Sequence, residues 1–306
     1  MTSVIVGADD DTHVQAVISA LLAQGEPPAI LLDAPSLRDD GYSLTLDRFQ
    51  HRGQVLDFAD LARGWLRRYA PTEWGAGLVA GSEEALSRRS FLSLVGSLAR
   101  ISGCDWLTPL DRLLAAEDKF LQLRIATSLG YAVPNTVVTS DPNVAADLFG
   151  EEFVVKPIAG GYYVSPEGAQ AVYASVLHRA EAVQLDFSAA PFFAQQRLEV
   201  DVHLRIVTVG AQAWACDLDA KNLPLDWRRD EHAHFSWRVA DDKVATDAAL
   251  SMSAALGVGY SSQDWIRHGD DLHFLDLNPG GQWLFLPDEV ASEVTQAIAT
   301  HLAGSR

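Results

Sequence analysis

The sequence predicts an α/β domain, then an α+β domain, then a mostly antiparallel sheet closed by terminal helices. The start reads strand, helix, strand; the middle carries a long helix and a Val-rich strand; the later chain alternates polar and apolar residues as consecutive strands do. SVIVGADDDTHVQAVISALLAQG reads as a short buried strand, a polar loop, a helix and a glycine stop. PAILLDA then supplies a second strand, so the opening is of the doubly wound kind. Asp9, Asp10 and Asp11 fall at the C-terminal end of the first strand, where open α/β sheets bind ligands. No G-x-G-x-x-G follows, and three acids would repel a pyrophosphate, so a dinucleotide site is not expected.

Residues 83–101 have helical periodicity. DWLTPLDRLLAAEDKFLQLRIATSLGYAVPNTVV carries a second long helix, with Asp118 as N-cap and Gly130 and Pro134 as its stop. EEFVVKPIAG is a strand containing one lysine, Lys156, and PFFAQQRLEVDVHLRIVTVGAQAWACDLDA reads as successive strands. Gly259 to Trp283 reads as a hairpin around the HGDD turn.

The chain has 306 residues, room for two or three small domains, and a formal charge of −18 from 23 basic and 41 acidic residues. That balance argues against nucleic-acid and anionic-membrane partners, which need a cationic surface, although an anionic substrate would still require a local basic pocket. Cys104 and Cys216 form no CxxC pair, which suits a reducing compartment. No apolar run approaches a membrane span and MTSVIVGADDDTH lacks a signal pattern, so a cytoplasmic protein is expected.

Several residues invite a chemical reading. A lysine in FVVKP is costly to bury unless an anion meets it; alone, Lys156 also reads as an edge lysine beside an edge proline. The AGGYY that follows could bring backbone N–H groups to phosphate. Lys119, alone, reads as a solvated first-turn lysine. In QQRLEVDVHLR, Glu199, Asp201, His203 and Arg205 share one parity, as on a half-exposed strand. Asp264, Asp276 and Asn278 make a hard-oxygen set of the kind magnesium shares with phosphate, though singly they read as strand-end and turn residues. Asp264 and Asp276 share a face only if their register sums to an even number; a three- or five-residue turn around Gly269 and Asp270 would put them opposite each other.

Taken in order, these segments resemble the ATP-grasp superfamily and, within it, the graspetide synthetases, peptide maturases that build ω-ester and ω-amide crosslinks. The resemblance covers nearly the whole chain. It rests on IVGADDDTHVQAVISALLAQG, ARGWLRRYAP, the CDWLTPLDRLL…VVTSDP stretch, FVVKP, VYASV and QQRLEVDVHLRIVTVG. DLDA with LDWRR, and QDWIRHGDDLHFLDLNPGGQWLFL with its Gly-Gln-Trp tail, are the distinctive motifs. Three departures stand out: Gln-Gln where an acid commonly follows the first Gln, Asp276 where Glu is usual, and a reduced glycine loop.

The resemblance implies a three-part ATP-grasp fold: residues 1–112 a doubly wound α/β domain, 113–190 a small central α+β subdomain, and 191–306 an antiparallel-sheet subdomain, with ATP between the last two. It implies that Lys119 and Lys156 contact ATP phosphates, and that Gln195, Gln196 and Leu198 line the adenine hinge with Glu199 or Asp201 near ribose. Arg205 and Arg228, with Lys156, would stabilise the transferred phosphate, and Asp264, Asp276 and Asn278 would hold two magnesium ions. The implied partner is a precursor peptide with a leader and a core of Thr/Ser and Asp/Glu, acted on by a homodimer. His203 or His178 as a base is open, with a surface role favoured for each. The alternatives are a carboxylate–amine ligase acting on a small molecule or a protein terminus, and a binding module without turnover.

Overall fold

The computed structural model describes residues 2–304 except 69, 76, 159–161, 166–167, 183, 186 and 188–189. The opening strand Thr2–Val6 is the second strand of a four-stranded parallel sheet, between Ile30–Leu32 and Leu61–Leu66, with Asp105–Trp106 beyond. Asp11 caps the connecting helix Thr12–Ala23 by accepting from the His13 N–H at 2.8 Å. A three-stranded meander over Tyr42–Leu44, Arg48–His51 and Gln54–Asp57 is inserted here. Its strands are too short to show a period in the sequence.

The second helix forms as expected after Asp118, and a separate short helix precedes it. Leu110–Ala116 ends at Glu117, and Asp118 caps a new helix, Lys119–Ser128, by accepting from Leu121 N at 3.0 Å. The middle of the chain forms an antiparallel sheet in the order Ser175–His178, Glu152–Pro157, Phe192–Gln196, Thr136–Thr139. The later chain forms a five-stranded antiparallel sheet ordered Arg238–Ala240, Gln212–Asp219, Val202–Val209, Tyr260–His268, Asp271–Asn278. Helices Lys243–Leu256 and Asp288–Ala303 cover it.

The cores show how these layers join. Ile5, Val14, Val17 and Trp65 of the first unit share one cluster with Val207, Tyr260, Trp283 and Ile298 of the last. Leu123 and Ala126 of the Lys119–Ser128 helix pack with Leu204, Trp265, Phe274 and Leu277. The middle sheet keeps its own small core around Phe153 and Phe192.

One requirement on local geometry is met by another route, and one expectation is corrected. The hairpin turn has two residues, not three or five: His268 pairs with Asp271, and Gly269 takes the left-handed φ of 56° that a primed turn requires. That register is odd, and a β-bulge at the Asp264/Trp265 step makes it even, so Asp264 pairs with Asp276. Glu199 and Asp201 precede their strand, which begins at Val202. Gly160 and Gly161 of the proposed phosphate loop lie outside the described residues.

After Asn278 the chain turns through Pro279 and two glycines. A Cβ on Gly281 would sit 2.5 Å from Ser262 Cβ and 3.3 Å from Asn278 Cβ. Gly281→Ala is therefore expected to destabilise the protein by about 1–3 kcal/mol, read as a lower melting temperature. An unchanged melting temperature would show that the loop has room.

Candidate functional site

Between the middle sheet and the five-stranded sheet lies an open cavity of about 360 Å³. Its lining combines apolar side chains, among them Val154, Leu198, Leu204, Trp265, Ile266 and Leu275, with the charged Lys119, Lys156, Arg228, Asp264 and Asp276. A flat apolar group beside a polyanion matches that combination.

The two carboxylates define the polar part of the lining. Asp264 and Asp276 oppose each other across the hairpin, and Asn278 follows one turn of the pleat later, opposite Ser262. Like charges placed so closely repel, and cations offset them. Lys119 Nζ donates to Asp276 Oδ1 at 2.6 Å. Arg205, on the other neighbouring strand, pairs with Asp264 and donates from Nη1 to its Oδ1 at 2.7 Å. Arg205 is 8% exposed and also donates to Gln282 O at 3.3 Å, so it sits beneath Asp264 rather than in the cavity wall. Burial alone would raise the Asp264 carboxyl, but Arg205, Arg228 and Lys119 hold it below its ordinary value.

Lys156 enters from the middle sheet. Burial lowers its ammonium from 10.5 to about 8, against the pull of Asp276. Arg228 comes from a short 3₁₀ turn, Trp227–Arg229, capped by Asp226. Asp226 is 4% exposed and accepts from Arg228 Nε at 2.7 Å and Nη2 at 2.9 Å, a two-point fork that aims the guanidinium. Arg228 is half exposed at the cavity; partial desolvation works against its charge, but Asp226, Asp264 and Asp276 raise its pKa above the ordinary value.

The remaining candidates divide. Gln195, Gln196 and Leu198 line the cavity. Gln195 Nε2 donates to Thr136 Oγ1 at 2.9 Å, while its buried Oε1 has no hydrogen-bond partner, leaving an acceptor for a ligand. Gln196 is tied to Asn135 at both backbone and side chain. Glu199 and Asp201 are not among the lining residues; both are exposed, 3.3 Å from the two ring nitrogens of His268. His203 is half-buried in the cavity wall rather than on the surface, and burial lowers its pKa. His178 is at the surface beside Glu152.

Gln122 was not anticipated. It is 1% exposed on the Lys119–Ser128 helix and grips the free edge of the last strand at Leu277. Its Nε2 donates to Leu277 O at 2.7 Å and its Oε1 accepts from Leu277 N at 2.9 Å. Because Leu277 lies between Asp276 and Asn278, this grip sets Lys119 against Asp276. A glutamine inside a helix gives no sequence signal of such pairing.

Among the described residues no three His, Cys, Asp or Glu side chains gather as a metal cage. The hard-oxygen set does fit a cation that takes few protein ligands and completes its shell with phosphate. Asn278 is exposed, and its Oδ1 accepts only the Gly280 N–H among the described contacts, at 2.9 Å, leaving a second lone pair.

No protein-family model and no curated protein matches this chain. Solved structures do. The macrocyclase MdnC of Microcystis aeruginosa MRC, bound with precursor peptide MdnA, has 23% identity and a TM-score of 0.81, covering 100% of both chains. A Chryseobacterium gregarium RiPP-associated ATP-grasp ligase, in complex with ADP and a leader and core peptide, has 20% identity and a TM-score of 0.84, over 100% of this chain and 98% of that one. The ATP-grasp ligase PsnB, complexed with a minimal precursor, has 19% identity and a TM-score of 0.76, over 98% and 99%. The chain therefore has the ATP-grasp fold from end to end.

Folding disfavours the charged form of Lys156. Its folded pKa lies below its ordinary value, so the cost of the buried ammonium is present in full below about pH 8 and is relieved as pH rises toward 10.5. Lys156→Met is expected to raise the melting temperature at pH 7, with the gain shrinking above pH 8. A lower melting temperature at pH 7 would mean that the ammonium stabilises the ligand-free protein.

Proposed function

We propose that the protein is an ADP-forming ligase acting on a ribosomally made precursor peptide. It activates Asp or Glu side-chain carboxylates as acyl-phosphates and joins them to Thr or Ser hydroxyls, or to Lys amines, of the same peptide, closing macrocycles. The observation that carries this reading is the single cavity in which Lys119, Lys156 and Arg228 meet Asp264 and Asp276 among apolar side chains. The full-length likeness to ligases solved with peptide and nucleotide supports it, including PsnB with magnesium and ADP and PsnB with AMPPNP.

The residues divide the work. The adenine ring fits among the apolar side chains, with Gln195 Oε1 and the backbone from Gln196 to Leu198 along its edge. Lys119 and Lys156 meet the phosphates. Arg228, aimed by Asp226, faces the phosphoryl group in transfer, where fixed charge lowers the barrier most. Arg205 orients Asp264. Asp264, Asp276 and Asn278 would hold two magnesium ions, which when bound offset the phosphate charge.

In the first step a peptide carboxylate oxygen attacks the γ-phosphorus, the bond to the β,γ-bridging oxygen breaks, and ADP leaves. In the second a hydroxyl or amine attacks the acyl carbon, inorganic phosphate leaves, and the nucleophile gives up its proton. His203, half-buried in the cavity wall, is the imidazole that would take it. The division into residues 1–112, 113–190 and 191–306, a homodimeric state and a cytoplasmic setting belong to the same proposal.

Incubating the protein with ATP, magnesium and a precursor peptide should release ADP and remove one water from the peptide per ring, read by mass spectrometry. Unchanged peptide mass, or AMP in place of ADP, would count against the reading. Asp276→Asn and Asn278→Ala are each expected to slow ADP release by about 10²–10³-fold while melting within a few degrees of the parent. Normal turnover in both would remove these residues from the metal site.

A further inference from the structure

The loop from Pro279 to Leu284 is held at several backbone polar groups, and two of its holders come from the N-terminal parallel-sheet unit. Gly280 N donates to Asn278 Oδ1 at 2.9 Å, and Gly280 O accepts from Arg67 Nη1. Gly281 O accepts from the Tyr260 hydroxyl at 2.9 Å. Gln282 O accepts from Arg205. Trp283 N donates to His13 Nε2 at 3.3 Å, and the His13 ring meets the Trp283 ring edge-on at 4.4 Å.

Arg67 is the unusual member. It lies just past the Leu61–Leu66 strand and is 2% exposed, deeper than the surface cations of this acidic chain. Asp11 offsets its charge, with Oδ2 3.2 Å from Arg67 Nε. Asp11 Oδ1 meanwhile caps the first helix and meets His13 Nδ1 at 3.2 Å. One half-buried acid therefore organises both N-terminal contacts to the loop. Burying an Arg–Asp pair is a poor way to add stability, since apolar residues of similar volume do as well or better. What the pair supplies is a fixed position for a carbonyl two residues from Asn278.

We propose that Arg67, seated on Asp11, is a positioning residue for Asn278: it fixes the Gly280 carbonyl and so restrains the same residue's N–H, which holds the Asn278 side-chain oxygen ready for a metal ion. The inference rests on the proposed metal role of Asn278. It makes the N-terminal unit part of the site rather than a separate scaffold.

The test uses the full chain with Arg67→Met, Arg67→Lys and Asp11→Asn. AMPPNP binding is measured against magnesium concentration and in EDTA, alongside hydrogen exchange of the 278–286 segment and the melting temperature. The expected result for Arg67→Met is a tenfold or greater rise in the magnesium needed for half-maximal AMPPNP binding. Affinity in EDTA should change less than twofold, exchange in 279–284 should accelerate at least tenfold, and Arg67→Lys should recover part of the loss. If Arg67→Met does not fold, Asp11→Asn, which keeps the helix cap, is expected to shift both readouts the same way. A lower melting temperature with an unchanged magnesium requirement would overturn this role alone and leave the ligase reading intact. A parent protein that binds no AMPPNP at any magnesium concentration would overturn both.

Discussion

Two carboxylates facing each other across one antiparallel strand pair, Asp264 and Asp276, impose the main constraint on this structure. Side chains directly opposite on a sheet have Cβ atoms about 5 Å apart, and like charges there repel. The fold answers with cations delivered from different elements. Arg205 comes from the neighbouring strand and Lys119 from a helix N-terminus. Lys156 arrives from a second sheet and Arg228 from a capped 3₁₀ turn. Each bears on the same pair, so the cavity exists only where these elements converge.

The convergence is held by polar contacts as much as by apolar packing. The hairpin's last strand lies at a sheet edge, and an edge left open would attract other chains. Gln122 covers Leu277, and Ala132 O accepts from Phe274 N at 2.9 Å, so the edge is closed by the segment that also delivers Lys119. On the far side Tyr260, Arg205, His13 and Arg67 fasten the loop after Asn278. The hard-oxygen set is thus braced from both flanks, as a site relying on electrostatic preorganisation requires.

The element order was legible because each long segment carries its own period and punctuation: Asp118 before a helix, Gly130 after it, glycine in the HGDD turn. Lys119, by contrast, has no local mark of function, and only the resemblance to the ATP-grasp superfamily suggested one. The even register of Asp264 and Asp276 was stated as a requirement, but its source was not visible, since a β-bulge depends on the partner strand. Glu199 and Asp201 looked like strand residues because alternation of charge does not distinguish a strand from the extended segment before it. Gln122 and Arg67 were illegible as site residues for one reason: their partners lie far along the chain, 155 residues away for Gln122 to Leu277 and 213 for Arg67 to Gly280.

In the proposed reaction the cavity passes a phosphoryl group from ATP to a peptide carboxylate. Its most direct test is oxygen transfer. A precursor peptide with ¹⁸O in its Asp and Glu carboxylates is incubated with the protein, ATP and magnesium, and the inorganic phosphate is examined by ³¹P NMR. The account predicts one ¹⁸O atom in the phosphate for each ring closed. Rings closed with phosphate free of ¹⁸O would contradict it.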